Sequence, residues 1–303
     1  MGEPTAVLGV GIEIMKIIDM YRSNQPVLSL EIFPPRPDYP LETIFTTVEQ
    51  LTRLHPGFIS VTYGAGGSNR DRTVEIAARI KKDYKIESLA HLTCVCHTRQ
   101  EISDILDSLQ QENIQNIMAL RGDIPENDPS FNINQQEYRY AFELINDARG
   151  KADFGIAAAA HPEGHPECRK LSEDLANLKH KVDCGVDFLI TQLFFDNRIY
   201  YDFADRAIAK GISCPIIPGI MPVLNAKQIK RIIYLCGASI PSRLLNLVDR
   251  YESIPSDMEK AGIEYASRQV EELLDEGVPG IHLYTMNKPD QITQIVNNVG
   301  IGR

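Results

Sequence analysis

The chain has 303 residues and a formal net charge of -10, and 43% of its residues are hydrophobic. This length fits two ordinary domains or one large α/β barrel. The negative charge, without a basic segment rich in aromatic residues, argues against a nucleic-acid partner. No apolar stretch approaches the roughly 18 residues that a membrane span needs, and the first residues lack the basic start of a secretory signal. We therefore expect a cytoplasmic protein without a membrane segment.

The positions of cysteine and histidine do not predict a metal site. The six cysteines include no CxxC pair, which favours reduced thiols over a zinc site or a disulfide framework. His161 and His165 are each followed by a proline, which biases them away from helical geometry, so they are not expected to share a helix face. We therefore expect no bound metal.

Short apolar runs alternate with longer segments of helical periodicity along the whole chain. Apolar strands separated by amphipathic helices indicate a parallel sheet that is covered on both faces. The candidate strands lie at 27–33, 58–62, 88–94, 116–120, 154–158, 188–192, 215–219 and 281–284. The candidate helices lie at 41–54, 72–82, 99–109, 136–147, 170–184 and 226–236.

This succession of eight strands without an obvious linker favours a closed (β/α)8 TIM-type barrel over an open sheet. We expect residues 1–303 to form the barrel as a single domain. An extra N-terminal helix is predicted at 12–21, and residues 241–276 hold more helix than one crossover needs. In barrels of this kind the functional residues lie at the carboxyl ends of the strands.

Two carboxylates lie at predicted strand ends, Glu31 on the first strand and Asp123 after the fourth. Pro34 and Pro35 prevent the first strand from continuing beyond the glutamate. Each carboxylate alone could be an ordinary residue, a surface glutamate or an aspartate that caps a turn. At the rim of one barrel they indicate an acid and a base whose environments separate their pKa values. No strand end carries a lysine, so a Schiff-base enzyme is not expected.

Three further features are candidates for ligand binding. The glycine-rich stretch 64–67 could bring backbone amides close to a phosphate or a flat ring, or could form a tight turn. Asp174, Asn177 and Lys181 share one face of the helix at 170–184, which is either a ligand-binding face or a solvated one. His91 lies inside the third strand, as a core histidine or as a ligand contact.

Several ordered motifs of the chain resemble the methylenetetrahydrofolate reductase family, flavoproteins that reduce 5,10-methylenetetrahydrofolate to 5-methyltetrahydrofolate. The resemblance extends over residues 28–287, and the fold of the family, a (β/α)8 barrel with flavin at the strand ends, agrees with the strand pattern. The motifs are Leu30–Pro35, Val61–Ala65, Ala90–Cys94, Leu120–Asp123, His165–Glu167, Asn177–Lys179 and Ile190–Gln192.

The resemblance implies roles for individual residues. Glu31 would be the general acid that protonates N10 of the folate, and N5 of the reduced flavin would then pass a hydride to the exocyclic methylene carbon. Asp123 would lie near flavin and pterin, where its charge favours a cationic intermediate. Gln192, Tyr284 and Lys288 would contact the folate. The positions that match flavin contacts are Thr62, His91, Leu120, Arg121, Gly122, Asp123, Ala141, His161, His165, Asp174, Asn177, His180 and Lys181.

Four positions depart from the family pattern. His161 replaces a tyrosine and His180 an arginine at flavin-binding positions, which leaves both FAD and FMN open as the cofactor. Lys288 replaces an arginine near the folate tail, which keeps the charge but loses the bidentate geometry. Ala226 replaces an aromatic residue that stacks on nicotinamide and folate. Electrons could therefore come from a partner subunit instead of directly from NAD(P)H.

Two alternative functions remain open at this point. One is a pterin-dependent methyltransferase on a similar barrel, and the other is a subunit that serves mainly to assemble an electron-transfer complex. We expect the protein to be an oligomer and expect no regulatory domain after residue 303.

Overall fold

The computed structural model describes residues 15–63, 70–125 and 131–302. The strands are β1 (Val27–Ile32), β2 (Phe58–Val61), β3 (Glu87–Thr93), β4 (Asn116–Leu120), β5 (Gly155–Ala160), β6 (Phe188–Thr191), β7 (Ile216–Ile217), β8 (Gly219–Ile220) and β9 (Gly280–Tyr284). The α-helices are α1 (Ile17–Met20), α2 (Thr43–Thr52), α3 (Arg70–Tyr84), α4 (Arg99–Gln111), α5 (Ala141–Lys151), α6 (Leu171–Asp183), α7 (Asn197–Ala209), α8 (Ala226–Cys236), α9 (Ser242–Tyr251), α10 (Pro255–Asp275) and α11 (Pro289–Val299).

The strands form one parallel sheet in the order β7-β6-β5-β4-β3-β2-β1-β9-β8. β7 and β8 belong to one chain segment that is interrupted at Pro218, and they pair with β6 and β9 respectively. This segment therefore brings the two edges of the sheet together as a barrel. The predicted (β/α)8 fold is confirmed. The strand predicted at 215–219 is divided because Pro218 has no N–H for the ladder.

The helices cover the outside of the sheet, as the periodicity predicts. All six helices listed in the sequence pattern are present, and the additional helix expected before the last strand forms α9 and α10. The pattern did not predict α7 and α11, although the buried residues Tyr200, Phe203 and Ala207 of α7 have helical spacing. Of the helix predicted at 12–21, residues 17–20 form α1, and residues 1–14 lie outside the described part. No helix within the described ranges is long and apolar enough to cross a membrane.

The amino-terminal end of the barrel is closed by α1. The side chain of Ile17 packs in a buried cluster with residues from the strand starts, including Val27, Phe58 and Phe188. Asn116 holds this helix in place, because its Oδ1 accepts a hydrogen bond from the Ile17 N–H at 2.9 Å and its Nδ2 donates to a neighbouring carbonyl at 3.1 Å. A ligand therefore has to enter the barrel from the carboxyl ends of the strands.

Inside and outside positions alternate along each strand, as expected for a parallel barrel. In β1, Val27 belongs to the inner cluster, whereas Leu28, Leu30 and Ile32 pack outward against the helices. Ser29 and Glu31 therefore face the interior. The same alternation in β3 and β9 directs a histidine of each strand into the barrel, which sets up the site described next.

Candidate active site

Glu31 lies inside the carboxyl-terminal mouth of the barrel and is 5% exposed. Its carboxylate oxygen Oε2 is 3.5 Å from Nε2 of His91 on β3 and 3.6 Å from Nε2 of His282 on β9. Both distances exceed that of an ordinary hydrogen bond. Within the described residues, both Nε2 atoms are buried and make no hydrogen bond. Buried polar atoms of this kind require a partner, and a bound ligand or the protonated carboxyl group can provide one.

Burial lowers the pKa of His91, and the nearby Glu31 opposes this shift only in part. The imidazole of His91 is therefore neutral near pH 7. Within the described residues, the groups that lie against the Glu31 carboxylate are the imidazoles of His91 and His282, and no lysine or arginine forms an ion pair with it.

His282 is positioned by Ser29, its direct neighbour in the β1–β9 register. The Ser29 hydroxyl lies 2.9 Å from Nδ1 of His282 and 3.2 Å from the carbonyl of Ile281. When the hydroxyl donates to that carbonyl, it accepts from Nδ1–H of the imidazole. In a neutral ring this places the lone pair of Nε2 toward Glu31. The sequence analysis missed both Ser29 and His282. The sequence does carry an indication of both. Ser29 lies two residues before Glu31 and His282 two residues before Tyr284, so each pair shares one face of its strand.

Tyr284 lies beside this group, with its ring edge toward the His282 ring at a centroid distance of 5.2 Å. Its hydroxyl donates to the carbonyl of Thr191 at 2.7 Å, and burial raises its pKa. A Cβ atom on Gly219 would lie 2.7 Å from the tyrosine ring and 2.4 Å from the Thr191 carbonyl. Glycine at 219 therefore makes room for the bond that joins β9 to β6 across the closure of the barrel.

A second group of predicted residues lies at the ends of β4 and β5. The guanidinium group of Arg121 forms a two-bond ion pair with the carboxylate of Glu167, at 2.7 and 2.6 Å. This pair raises the pKa of Arg121 and lowers that of Glu167. Gly122 has a φ of +88°, and a Cβ there would lie 2.8 Å from the Val95 side chain. The sequence analysis assigned no role to Glu167, because only the folded loop brings it to Arg121.

The charges of Arg121 and Lys181 both act on His161 and His165 in the same region. The two imidazole rings meet edge to face at 4.7 Å. Burial, followed by the nearby positive charges, lowers the pKa of His161 to about 3. Burial also lowers the pKa of Lys181 to about 8, and Asp174 opposes this shift. Two cations beside two imidazoles form a set of donors of the kind that suits a phosphate group.

The remaining predicted residues lie at or near the rim. Asp123 is exposed, unlike Glu31, so the two carboxylates do occupy different environments. Gln192 is partly buried and its Oε1 accepts from the Leu193 N–H at 3.0 Å, near His161. Lys288 is exposed at the start of α11. Thr62 follows β2, Leu120 ends β4 and Ala141 begins α5, and all three are partly buried. Asn177 and His180 are exposed residues of α6.

Aromatic side chains surround the start of α5. Tyr140 stacks on Phe142 with a centroid distance of 5.8 Å, and Phe142 meets His180 of α6 edge to face at 4.8 Å. His180 therefore joins α6 to the neighbourhood of Ala141. The glycine-rich stretch 64–67 lies outside the described residues. Within the described ranges, no three histidine, cysteine, aspartate or glutamate side chains are arranged to hold a metal ion.

A (β/α)8 barrel with a buried carboxylate and buried imidazoles at its strand ends has the architecture of the enzymes that act on ligands bound at that end. The family model described as methylenetetrahydrofolate reductase matches residues 16–300. The 5,10-methylenetetrahydrofolate reductase of Escherichia coli (strain K12) is 37% identical over 274 residues, which cover 90% of each chain. That of Pectobacterium carotovorum subsp. carotovorum is 36% identical over 274 residues, again 90% of each chain. The chain belongs to the methylenetetrahydrofolate reductase family and is an oxidoreductase.

A plant relative and the solved structures extend this comparison. Methylenetetrahydrofolate reductase (NADH) 1 of Arabidopsis thaliana is 34% identical over 302 residues, 95% of this chain and 51% of the plant protein, so the chain spans about half of that relative. An uncharacterized protein from Clostridium thermocellum that binds two copies of 5-methyl-5,6,7,8-tetrahydrofolic acid superposes with a TM-score of 0.64, covering 93% of this chain and 96% of that chain. At 17% identity, this likeness supports the barrel fold alone.

Proposed function

We propose that this chain reduces 5,10-methylenetetrahydrofolate to 5-methyltetrahydrofolate, with Glu31 as the general acid and a flavin nucleotide as the hydride donor. The observation that carries the proposal is the environment of Glu31. Glu31 is 5% exposed, and its carboxyl group lies beyond hydrogen-bond distance of two buried imidazoles in the mouth of the barrel, which leaves it available to a ligand there. Family membership supplies the class of substrate.

The chemistry divides between Glu31 and the bound cofactor. Glu31 donates its proton to N10 of the folate, so the bond between N10 and the methylene carbon can break. A reduced flavin supplies, when bound, the hydride that converts this carbon to a methyl group. His91 and His282 border the resulting carboxylate, and Asp123 lies where its charge acts on Arg121. An exposed carboxylate near the substrate would favour the cationic form of the folate.

The residues proposed to hold the flavin phosphate are Arg121, His165 and Lys181. Lys181 donates to the carbonyl of Ala159, which fixes its ammonium group under the rim. Arg121 is held by Glu167, so a phosphate would share or replace that carboxylate partner. The donor set accepts the phosphate of FMN and the diphosphate of FAD alike, and the cofactor is therefore proposed only as a flavin nucleotide. The oligomer and the cytoplasmic location likewise stay predictions.

The electron source is a separate part of the proposal. Ala226 is the first residue of α8, where a methyl group offers no ring for a nicotinamide to stack on. We propose that electrons reach the flavin partly or wholly from a partner subunit. Rapid reduction of the bound flavin by NADH alone, measured on the purified chain, would contradict this proposal.

The test of the catalytic proposal is Glu31→Gln, which keeps the shape of the side chain but cannot donate an acidic proton. We expect kcat for folate reduction to fall by at least about 10²-fold. Bound flavin, its visible absorbance and its reduction by dithionite are expected to stay as in the wild type. The matched control is Glu87→Gln, another buried glutamate at the opposite end of the barrel, for which kcat per folded molecule is expected to be unchanged.

Two results would contradict the proposal. Full activity of Glu31→Gln would remove Glu31 from the chemistry and favour the assembly-subunit alternative. A colourless protein that binds no flavin, yet transfers a methyl group from the folate, would favour the methyltransferase alternative.

A further inference from the structure

Two consecutive residues between β9 and α11 have left-handed backbone conformations. Met286 has a φ of 52° and Asn287 a φ of 54°, and neither is glycine. A side chain in this region is disfavoured by its own backbone, so the conformation persists only where surrounding contacts impose it. The contacts of this turn therefore stabilise a conformation that its own backbone disfavours.

The contacts are made by the Asn287 side chain to the backbone of Phe33, the last residue before Pro34. Its Oδ1 accepts from the Phe33 N–H at 3.0 Å, and its Nδ2 donates to the Phe33 carbonyl at 2.8 Å. The amide thus occupies both backbone groups, as a neighbouring strand would. Because Pro34 and Pro35 end β1 at this point, no backbone ladder continues the pairing of β1 with β9.

The same turn also holds the backbone of Glu31. The Thr285 hydroxyl donates to the Glu31 carbonyl at 2.6 Å and accepts from the Asn287 N–H at 3.1 Å. Glu31 and Phe33 are therefore bound by two side chains of one turn. The loop beyond Phe33 is held separately by Arg72, which donates to the carbonyls of Pro35 at 3.1 Å and Pro37 at 2.7 Å.

We propose that Asn287 is a positioning residue that sets the reach of the Glu31 carboxyl group toward the substrate. The inference rests on the proposed function, because it assumes that Glu31 is the acid. The carboxyl oxygen lies 3.5 and 3.6 Å from the two imidazoles without a hydrogen bond to either. Its position is therefore determined mainly through the backbone of β1, and the Asn287 amide fixes that backbone where the prolines end the sheet.

Three substitutions separate this role from simple support of the turn. Asn287→Gly deletes the amide and also relieves the left-handed strain, so the folded state loses little stability. Asn287→Asp keeps the acceptor for the Phe33 N–H and loses the donor. Lys85→Gly is the matched control, since Lys85 is exposed, has a φ of 58° and precedes β3 at the opposite end of the barrel.

The measurements are kcat and KM for folate reduction, flavin reduction by dithionite, the midpoint of urea unfolding, and hydrogen exchange at the Phe33 amide. For Asn287→Gly we expect kcat to fall about tenfold or more, since a displacement of about 1 Å in an acid costs that much. KM and the rate of flavin reduction are expected to change less than twofold. The Phe33 amide is expected to exchange faster. Asn287→Asp is expected to recover part of kcat, and Lys85→Gly to change none of these quantities.

Two outcomes overturn the inference. One is a wild-type kcat for Asn287→Gly together with faster exchange at Phe33, which would show that loss of the contact does not disturb the acid. The other is unchanged exchange at Phe33. If Glu31→Gln also keeps full activity, the proposed function itself fails. If Glu31→Gln loses activity as expected, only the positioning role of Asn287 fails. If Asn287→Gly does not fold, kcat and hydrogen exchange at Phe33 in Asn287→Asp test the inference in its place.

Discussion

Two buried glutamates lie at opposite ends of the barrel, and their partners differ. Glu87, the first residue of β3, is 8% exposed, and its Oε1 is 3.0 Å from Nζ of Lys81. Glu31, near the end of β1, is 5% exposed, and the imidazoles of His91 and His282 lie 3.5 and 3.6 Å from its carboxylate. A buried carboxylate beside an ammonium group forms an ion pair, whereas a carboxylate beside neutral imidazoles has no such compensating charge. The neighbouring group, and not burial, distinguishes Glu87 from Glu31, the carboxylate that we propose as the acid.

The largest effect is expected at the structural end, from Lys81→Met. This change leaves Glu87 buried without its cation. It also removes the donor to the Gln115 side chain, because the Lys81 ammonium group donates to both side chains. We expect the free energy of unfolding to fall by about 3–5 kcal/mol, measured by urea unfolding. The double change Lys81→Met/Glu87→Leu is expected to recover most of that loss. A loss below about 1 kcal/mol in the single variant would contradict the assignment of this pair as structural.

A second prediction concerns the closure of the same end by Asn116. A Cβ atom on Gly155 would lie 2.3 Å from Oδ1 of Asn116, the atom that accepts from Ile17. Gly155→Ala should therefore displace the asparagine and destabilise the protein by about 1–3 kcal/mol. Asn116→Ala should cost about 1–3 kcal/mol by itself.

The double variant provides the control for this prediction. Once Asn116→Ala has shortened that side chain, the methyl group added by Gly155→Ala has room. The double variant should therefore lose about 1 kcal/mol less unfolding free energy than the sum of the two single losses. Additive losses in urea unfolding would mean that the two side chains do not compete for the same space. In all three variants kcat per folded molecule should stay unchanged, because the proposed active site lies at the other end of the barrel.

The two ends also differ in how well the sequence predicts them. Strands, helices and the inner apolar layer follow from periodicity, which is a local property of the chain. Glu31 and Asp123 can be proposed from the sequence because they lie at or just after predicted strand ends. His282 and Ser29 were not, because their contact joins positions 253 residues apart and depends on the β1–β9 register. The Asn287 contact with Phe33 is hidden for the same reason, since it spans 254 residues.

At the functional end, the pKa of about 8 for Lys181 predicts a pH-dependent affinity for flavin. Below that pH the ammonium group is charged and attracts a phosphate. Above that pH the Lys181 amine of the unliganded protein is neutral and must take up a proton when the phosphate binds. The affinity for flavin should therefore fall by up to about tenfold for each pH unit. The dissociation constants of FMN and FAD, measured by fluorescence from about pH 7 to about pH 10, test this.

The control for this titration is Lys181→Arg, because arginine stays charged over the whole range. We expect the arginine variant to bind flavin with weaker pH dependence, even if its affinity at neutral pH is lower. An equally steep loss of affinity in both proteins would assign the titration to another group. Comparison of the two flavins then shows whether the cations favour a diphosphate over a single phosphate.

The smallest effect is expected from Ala226→Phe, which places an aromatic ring at the first residue of α8. A stacked ring is worth about 0.5–1.5 kcal/mol, so NADH-dependent reduction of bound flavin should accelerate by a few-fold to about tenfold. Lys227→Phe is the matched control, because it adds the same ring at the adjacent, exposed position. Stopped-flow reduction by NADH measures both. If the wild type is already reduced rapidly and Ala226→Phe adds nothing, direct use of NADH replaces the partner subunit as the electron source, because the site then binds nicotinamide without the ring.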